Sequence, residues 1–503
     1  MPRTIAELLD HASQQFGERA FLGVGEERRS FAKFVDEARQ VAAVLVAHGV
    51  QPGDRVVTLL PRSAAEAVVL VASMLVGAMA VPIHGKLKDD QVAHILADAE
   101  PRLCITNSER TVALRDPQAV FAGRRVFEEV DLWRQLADRF QGACQPGDPA
   151  VLLYTSGSTG PAKGIVQTHR NVLLGADIVS GYLGLTADDH LLVLLSFSFD
   201  YGLNQLLSAL LSGCRLTAAD HLGVGELASL LATHRPTGLA GVPSLWREVA
   251  DGLESGALRA VHGQSLRYIT NSGGVLRPRD SREIRRSFPG VAIYAMYGLT
   301  EAFRSAFLPP EELEEHPDSF GYPIAGVELL LVSTSDGRVL DGAAIGELVH
   351  AGPLVARGYW RREELDARRF RADPRGGDAR VVFSGDLVRR DEGGRHYFVS
   401  RLDRMLKVHG HRISPDEVSQ AVAGMPGVGP ACVFGVEGGA DGHQIVLCLE
   451  ADPSDPELVE AVRRRCRARL PSYMLPAIVK VLPELPQTAN GKVDLAALQA
   501  MIS

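Results

Sequence analysis

In the first part of the chain, short apolar runs alternate with longer amphipathic stretches. Between Ser30 and Val50 the apolar positions recur every three or four residues, which predicts a helix with one buried face. Short apolar runs at 56–60, 80–83 and 103–106 predict strands, and the stretches at 64–76 and 91–99 between them predict helices. Alternation of this kind favours a parallel sheet with helices on its faces, so the expected fold class is α/β.

The pattern changes twice along the chain and predicts the domain organisation. The strand and helix rhythm resumes after 152 and continues to 294, whereas from about 326 shorter runs with Gly-rich turns at 335–337 and 391–394 predict β-hairpins. A compact α+β unit of about a hundred residues follows, with its last strand predicted at 478–482. We therefore expect a large domain over 1–402, with a β-rich subdomain at about 326–402, and a small C-terminal domain over 403–503.

Length and charge narrow the class of protein. A chain of 503 residues exceeds what one hydrophobic core supports, so two or three domains are expected. The net charge of −8 gives no basic footprint for nucleic acid and no basic tail for a membrane surface. The longest apolar stretch, 70–83, is too short to span a bilayer. The N-terminus lacks the pattern of a signal peptide and the six cysteines form no CxxC pair, so a cytoplasmic location is expected.

A glycine- and hydroxyl-rich segment, YTSGSTGPAKG at 154–164, directly follows the apolar run at 151–153. Glycine lets the backbone approach phosphate oxygens closely, so a strand followed by such a loop is typical of phosphate binding. The Walker pattern requires Gly before the lysine, and Ala162 precedes Lys163 here, which excludes a standard P-loop. A flexible surface loop is the alternative when the stretch is considered alone.

The segment 155–164 resembles the phosphate loop of the AMP-forming adenylating enzymes, which include acyl-CoA synthetases, peptide-synthetase adenylation domains and firefly luciferase. Five further segments match this family in the same order along the chain: Tyr-Gly-Leu-Thr-Glu at 297–301, Ser-Gly-Asp at 384–386, Arg-Leu-Asp at 401–403, 407–412, and Pro-Gln-Thr-Ala-Asn-Gly-Lys at 486–492. The chain is most similar to a stand-alone amino-acid adenylation enzyme. The resemblance implies a mobile C-terminal domain.

The resemblance also implies a site for ATP and Mg²⁺. Activating a carboxylate brings two anions together, so cations must neutralise charge. The β- and γ-phosphates are expected to lie in the loop formed by Thr155, Ser156, Gly157, Ser158, Thr159, Gly160 and Lys163. Thr300 would contact the α-phosphate and Glu301 would hold Mg²⁺. Without the resemblance, Glu301 would be an ordinary exposed carboxylate.

Further residues are expected around the nucleoside. Tyr297 would stack on adenine, with Gly273 and Gly274 on the other side, although a core tyrosine is the alternative. Asp386 follows the apolar run at 381–383 and would accept hydrogen bonds from the ribose hydroxyls, with Arg401 reaching the nucleotide. A turn-capping aspartate and an ordinary linker charge are the alternatives for these two.

The C-terminal domain is expected to alternate between two positions. By resemblance, Lys492 bridges the substrate carboxylate and the nucleotide during adenylation, and a turn lysine in solvent is the alternative. Rotation about Asp403 would then withdraw Lys492 and bring the segment with Lys407 to the site. Gly410 matches the small residue beside which a phosphopantetheine arm passes, and otherwise it is a plain turn glycine.

The segment LSFSFDYGLNQLLSALLSG at 195–213 bears on the substrate. Amino-acid adenylating enzymes have Phe-Asp here, and Asp200 after Phe199 would pair with a substrate ammonium, whereas a helix N-cap is the competing interpretation. The aligned pocket would be formed by Tyr201, Asn204, Ser244, Thr270, Ser272, Met296, Arg304 and Ser305. If Arg304 faces the pocket, it would pair with a second carboxylate and favour an acidic or otherwise polar amino acid. Ala295 stands where the family has Asn, a departure from the peptide-synthetase pattern.

The sequence therefore predicts ATP-dependent activation of an amino acid as aminoacyl-AMP with release of pyrophosphate. Transfer to the phosphopantetheine thiol of a separate carrier protein would follow, since no carrier domain follows Ser503. An acyl-CoA synthetase for a small or medium carboxylic acid is the second hypothesis, and a non-catalytic nucleotide-binding homologue is the third. Arginines at 463–465, 467 and 469 would attract an acidic carrier protein or form a solvated face.

Overall fold

The computed structural model describes residues 1–502 except 26, 136–137, 143, 156–161, 221, 403–405, 409–410, 414, 438–442, 471 and 489–490. The chain divides into two compact units, the first made of Met1–Leu329 and His350–Val382 and the second of Leu330–Val349 and Phe383–Ser503. Residue 403, where the sequence predicts a domain boundary, lies outside the described residues, and that boundary stays a prediction.

Thirteen α-helices are described in the first unit. They are α1 (Ile5–Phe16), α2 (Phe31–Ala47), α3 (Ala64–Val76), α4 (Asp89–Ala99), α5 (Ser108–Ala113), α6 (Pro117–Val120), α7 (Glu129–Arg134), α8 (His169–Leu183), α9 (Asp200–Ser212), α10 (Val224–His234), α11 (Pro243–Ser255), α12 (Pro278–Ser287) and α13 (Glu363–Arg369). Short 3₁₀ turns occur at Ala260–Gly263, Thr300–Ala302 and Pro310–Glu312.

The first sheet of this unit contains the alternation that the sequence predicts. Its strand order is β19-β8-β7-β4-β3-β5-β6, with β3 (Arg55–Leu59), β4 (Met79–Pro82), β5 (Leu103–Thr106), β6 (Val126–Glu128), β7 (Pro149–Thr155), β8 (Lys163–Thr168) and β19 (Gly358–Tyr359). The strands β3, β4, β5 and β6 pair in parallel, whereas β8 runs antiparallel to both β7 and β19. Helix α3 is buried along its whole length, as its apolar sequence requires.

The second sheet of the unit holds the strands around the candidate site. Its order is β15-β14-β13-β12-β11-β9-β10-β1-β2, with β1 (Ala20–Val24), β2 (Glu27–Ser30), β9 (His190–Val193), β10 (Arg215–Ala218), β11 (Gly238–Gly241), β12 (Tyr268–Asn271), β13 (Ala292–Tyr297), β14 (Ala306–Leu308) and β15 (Ser319–Pro323). Strands β9, β11, β12 and β13 are parallel neighbours. Their carboxyl ends therefore lie along one edge, where ligands bind in open α/β sheets.

The second unit is richer in hairpins. Five neighbouring strands of a larger sheet have the order β17-β16-β18-β21-β22, and a further hairpin and a three-stranded sheet follow. The strands wholly or partly in this unit are β16 (Glu328–Val332), β17 (Val339–Leu340), β18 (Ala344–Ala351), β21 (Arg380–Arg390), β22 (His396–Arg401), β23 (Leu406–Val408), β24 (His411–Ile413), β25 (Val428–Glu437), β26 (His443–Ala451) and β27 (Ile478–Leu482). Strand β20 (Phe370–Ala372) belongs to the first unit, where it pairs with the first residues of β21. The helices are α14 (Pro415–Val422), α15 (Leu458–Arg469) and α16 (Leu495–Ala500), with a 3₁₀ turn at Ser472–Met474.

The α/β fold class predicted from the sequence is confirmed. Strands at 103–106 and 478–482 and the helix at 64–76 have the predicted bounds, and the hairpin turns fall near 335–337 and 391–394. No helix in the described part of the chain combines the length and the apolar character needed to cross a bilayer.

Candidate active site

A cavity lies beside the carboxyl ends of the parallel strands. It is lined by side chains of α8, α9, β9, β11, β12 and β13, by Leu185 after α8 and by Arg304, which follows the 3₁₀ turn after β13: Val179, Leu183, Leu185, Leu191, Tyr201, Asn204, Gln205, Ser208, Ala240, Tyr268, Thr270, Met296 and Arg304. Five residues that the sequence assigns to a substrate pocket, Tyr201, Asn204, Thr270, Met296 and Arg304, are thus brought together. The aligned pocket set has three further members, Ser244, Ser272 and Ser305. They are not among the described residues that line the cavity.

Asp200 lies against the cavity's arginine. Its Oδ2 atom is 3.7 Å from Nη1 of Arg304, and both residues are buried, with 3% and 4% of their surface exposed. A separation of 3.7 Å is an ion pair but exceeds a hydrogen bond. The site thus contains both a buried anion and a buried cation, and the sequence did not predict that the two would pair with each other.

Asp200 does not take the N-cap position that the competing interpretation assigned to it. Helix α9 begins at Asp200, and Phe199 is its N-cap and makes no side-chain capping bond. Gly202 explains why the helix can begin here, because a Cβ atom at this position would lie 2.1 Å from the carbonyl oxygen of Ser196. Only glycine permits the preceding loop to lie so close to the first turn of the helix.

Arg304 is oriented by a strained turn. Phe303 has a φ of +50° and ψ of −55°, and the backbone N–H of Arg304 donates to the carbonyl of Ala302 across it at 2.6 Å. These dihedral angles are those of the γ-turn with positive φ, which is rare because its backbone is strained. Phe303 is fully buried, and its ring fits against α8 because Gly175 there has no side chain. Strained backbone of this kind is found where function requires a fixed side-chain direction.

The remaining cavity wall is aromatic and hydroxylic. The guanidinium carbon of Arg304 lies 4.7 Å from the ring centroid of Tyr201, a cation–π distance, and the Tyr201 hydroxyl is hydrogen-bonded to Thr270. The Tyr182 hydroxyl donates to Sδ of Met296 at 2.9 Å. Burial raises the pKa of both tyrosines well above the ordinary value, so they remain neutral donors.

The predicted phosphate loop connects two paired strands. Thr155 at the end of β7 lies opposite Lys163 at the start of β8 in the antiparallel register. Ser156, Gly157, Ser158, Thr159 and Gly160 lie outside the described residues. Gly164 is required by packing, because a Cβ atom there would come within 2.8 Å of the Leu152 side chain.

Thr300 and Glu301 are held by residues of two paired strands, β8 and β19. The side-chain amide of Gln167 on β8 donates to the carbonyl of Thr300, and the Tyr359 hydroxyl on β19 donates to Oε1 of Glu301. The Glu301 carbonyl accepts from the backbone N–H of Ala356 at 2.8 Å. Sequence reasoning missed Gln167 and Tyr359, because both lie far along the chain from the segment they support.

The carboxylate of Glu301 fits a magnesium site of the expected type. Among the described residues no cluster of three His, Cys, Asp or Glu side chains could hold a metal ion by itself. Mg²⁺ that accompanies nucleotides is commonly bound by one or two carboxylates together with phosphate oxygens and water. Half-buried Glu301, held by Tyr359, provides one such carboxylate.

Tyr297 ends β13 next to the Gly273–Gly274 loop that follows β12. Its ring stacks on Phe320 with a centroid distance of 4.4 Å and lies parallel to His350 at 5.8 Å. Ser305, assigned to the pocket by the sequence, instead hydrogen-bonds Nδ1 of His350 at 2.7 Å. The predicted stacking of Tyr297 on adenine stays a prediction.

Asp386 and Arg401 are brought together in the second unit. They are opposite one another in the β21–β22 register, and Nη1 of Arg401 donates to Oδ1 of Asp386 at 2.7 Å. Asp386 lies within strand β21 rather than after it, because the apolar run continues beyond Gly385 into Leu387 and Val388. The pair agrees with the expectation that both residues serve one ligand, and that role stays a prediction.

Lys492 is exposed on a tight turn. Its backbone N–H donates to Oγ1 of Thr488, its carbonyl accepts from the Thr488 N–H, and Gly491 has a φ of +72°. Asp403 and Gly410 lie outside the described residues, and only the backbone of Lys407, in β23, is described. The predicted hinge and thioester roles of these residues remain predictions.

The family model "AMP-binding enzyme" matches residues 9–360, and "AMP-binding enzyme C-terminal domain" matches residues 417–492. This chain belongs to the AMP-binding enzyme family. The resemblance seen in the sequence is therefore confirmed.

Relatives of this AMP-binding enzyme include a carrier-protein ligase and a synthase subunit. It is 31% identical to the L-proline--[L-prolyl-carrier protein] ligase of Streptomyces coelicolor, with 99% of this chain and 96% of that protein covered. It is 29% identical to surfactin synthase subunit 2 of Bacillus subtilis over 98% of this chain, which is 14% of that protein.

Solved structures of similar fold include acid–CoA ligases. MatB from Rhodopseudomonas palustris with bound ATP has a TM-score of 0.88 at 24% identity, covering 99% of this chain and 98% of that chain. The o-succinylbenzoate CoA synthetase MenE from Bacillus subtilis, in complex with ATP and magnesium ion, has a TM-score of 0.84 at 26% identity, covering 97% and 98%.

Proposed function

We propose that this AMP-binding enzyme activates an amino acid as its adenylate and transfers it to the phosphopantetheine thiol of a separate carrier protein. The observation that supports this proposal most strongly is the buried carboxylate of Asp200 beside the cavity. A buried carboxylate is costly unless cations or donors surround it, and a substrate ammonium would supply a further cation beside Arg304. A carrier-protein ligase matched over nearly its whole length supports the same proposal.

The proposed reaction has two steps, adenylation and thioester formation. A carboxylate oxygen of the amino acid attacks the α-phosphorus of ATP, the bond to the bridging oxygen breaks, and pyrophosphate leaves. The thiolate of the carrier then attacks the acyl carbon, a thioester forms, and AMP leaves with the oxygen. Both anions must be neutralised in the first step, and Lys163, Thr300 and Lys492 are proposed to stabilise that charge, with Mg²⁺ at Glu301 supplying further positive charge.

An acyl-CoA synthetase is the second candidate, and one observation favours it. Arg304 already places a cation 3.7 Å from Asp200, so the carboxylate does not depend on a substrate ammonium for its charge balance. Under this alternative the two side chains form an internal ion pair and the acid substrate carries no amino group.

Pyrophosphate exchange distinguishes the two candidates. We expect exchange with at least one amino acid, and we expect Asp200→Asn to lower kcat/KM for that amino acid by about 100-fold, as removal of one partner of a buried charge pair does. The matched control is Asp280→Asn, which removes the buried carboxylate of the Arg277–Asp280 pair elsewhere in the same unit. Exchange only with acids that lack an amino group, unchanged in Asp200→Asn, would reject the amino-acid proposal.

The acceptor is tested separately. Incubation of the enzyme with ATP, its best acid and either a phosphopantetheinylated carrier protein or CoA should yield the acylated carrier, seen as a mass increase of the intact protein. Acylation of CoA alone would favour the second candidate.

A further inference from the structure

Arg304 has two buried N–H groups that no described residue accepts. Its Nε and Nη2 atoms are inaccessible to solvent and lack a hydrogen-bond partner among the described residues, although the residue lines the cavity. Leaving a buried donor unpaired is costly, and native proteins pair most such groups. The unpaired groups therefore indicate a ligand that the cavity is built to receive.

The two unpaired atoms are on one edge of the guanidinium. Nε and the adjacent Nη2 point their N–H bonds in parallel, which matches the two oxygens of a carboxylate. Arginines elsewhere in this chain use that edge in this way. Nε and Nη2 of Arg277 donate to the two oxygens of Asp280 at 2.7 and 2.8 Å, and those of Arg375 donate to Asp373 at 3.0 and 2.7 Å.

The neighbouring side chain adds a third donor. Asn204 on α9 lines the same cavity, and its Nδ2 atom is buried without a described partner. Its Oδ1 atom accepts from the Ser208 hydroxyl at 3.5 Å, which leaves the amide nitrogen as the group for a ligand. Three donors around one cavity favour an acceptor-rich group such as a carboxylate.

We propose that the cavity binds a second carboxylate of the substrate, held by the Nε–Nη2 edge of Arg304 and by Asn204. The inference rests on the proposed adenylation and names its substrate class: a compound with two carboxylates, one activated and one recognised. The recognised group differs from the reacting one, because a carboxylate with both oxygens bonded to a buried arginine is a poor nucleophile. The amino group, where present, would pair with Asp200, so the ion pair at 3.7 Å is complementary to an acidic amino acid.

The test compares each acid with its own amide in the wild-type enzyme. Pyrophosphate exchange is measured with aspartate and asparagine, glutamate and glutamine, and the amine-free pairs succinate and succinamate, glutarate and glutaramate. We expect at least one diacid to exceed its amide in kcat/KM by about 100-fold or more, because an amide cannot accept both N–H bonds and presents an N–H of its own. Amides equal to or better than the acids in all four pairs would overturn the inference.

Two variants assign the preference to Arg304. We expect Arg304→Lys, which keeps the charge and loses the parallel donors, to retain a small part of the preference, and Arg304→Gln to abolish it. The matched control, Arg277→Gln, removes the same edge from a structural pair and should keep the wild-type preference. A diacid preference unchanged in folded Arg304→Gln would overturn the assignment. If that variant does not fold, the comparison of acids with amides in the wild-type enzyme still tests the preference for diacids.

The outcomes also separate this inference from the proposed function. Exchange with monocarboxylic amino acids and no preference for diacids would overturn the inference and leave adenylation intact. Absence of exchange with every acid would overturn the adenylation proposal itself.

Discussion

At the scale of single residues, the candidate site depends on positions whose neighbours are distant in sequence. Resemblance identified Asp200 and Arg304 and placed both at the pocket. It could not show that they pair with each other, because Arg304 is oriented by the γ-turn at Phe303, and no sequence pattern encodes a positive φ at a phenylalanine. The hydrogen bonds from Gln167 and Tyr359 were not predicted either, because both residues lie far along the chain from Thr300 and Glu301.

Glu66 on α3 should make stability depend on pH. It is completely buried near Arg62 and Asp220, and burial raises its pKa from 4.5 to about 8. The folded state therefore binds a proton more tightly than the unfolded state. The contribution of Glu66 to the free energy of unfolding is therefore fully present below about pH 4.5 and is lost as the pH rises towards 8.

Glu66→Gln should remove this dependence. The free energy of unfolding of the variant relative to wild type should increase with pH between 5 and 8, with a slope approaching about 1.4 kcal/mol per pH unit. Urea denaturation at several pH values measures it. A difference that does not change with pH would show that Glu66 is not protonated in the folded protein.

Tyr359 should support Glu301. We expect Glu301→Gln to lower pyrophosphate exchange by about 100-fold or more, since it removes charge from the proposed magnesium site. Tyr359→Phe should have a smaller effect in the same direction and should raise the Mg²⁺ concentration for half-maximal exchange. Tyr397→Phe, which removes a comparable bond from Tyr to Asp391 in the second unit, is the control. An unchanged Mg²⁺ requirement in Tyr359→Phe would separate Tyr359 from the metal site.

At the scale of elements, the hydrophobic patterning was sufficient for most bounds. Helix α3 and strands β5 and β27 have the predicted limits because a turn-forming residue follows each apolar run: Gly77, Asn107 and Pro483. Strand β21 is longer than predicted, because Ser384, Gly385 and Asp386 interrupt the apolar pattern without ending the strand. Where polar residues of a candidate site lie within a strand, the hydrophobic pattern therefore predicts too short a strand.

The contact between α8 and the γ-turn gives a prediction at this scale. Gly175→Ala would place a Cβ atom 2.4 Å from the Phe303 ring, so the turn that orients Arg304 must move. We expect the variant to lose about 1–3 kcal/mol of stability, as overpacked cores do, and to lose much of its diacid preference.

Gly181→Ala on the same helix is the matched control. No atom lies within 4 Å of a Cβ atom at that position, so the change should stabilise the helix by up to about 1 kcal/mol and leave exchange unchanged. Urea denaturation and pyrophosphate exchange measure both variants. Equal exchange kinetics in Gly175→Ala and Gly181→Ala would contradict a role for the turn in orienting Arg304.

At the scale of the whole molecule, the proposed mechanism requires Lys492 in only one of the two steps. It is exposed on a turn of the second unit, and its charge is proposed to offset the transition state of adenylation. Lys492→Ala should therefore slow adenylate formation by about 100-fold or more. It should leave thioester formation from a chemically prepared adenylate within a few-fold of wild type. Equal slowing of both steps would contradict a role confined to adenylation.

The central claim is that this chain joins a carboxylic acid to AMP. Acid-dependent exchange of labelled pyrophosphate into ATP tests it most directly, measured with the purified chain across amino acids and the four acid and amide pairs. The account predicts exchange that requires both Mg²⁺ and a carboxylic acid and that is strongest with a diacid. A folded protein that binds ATP and catalyses no exchange with any acid in the panel would contradict it.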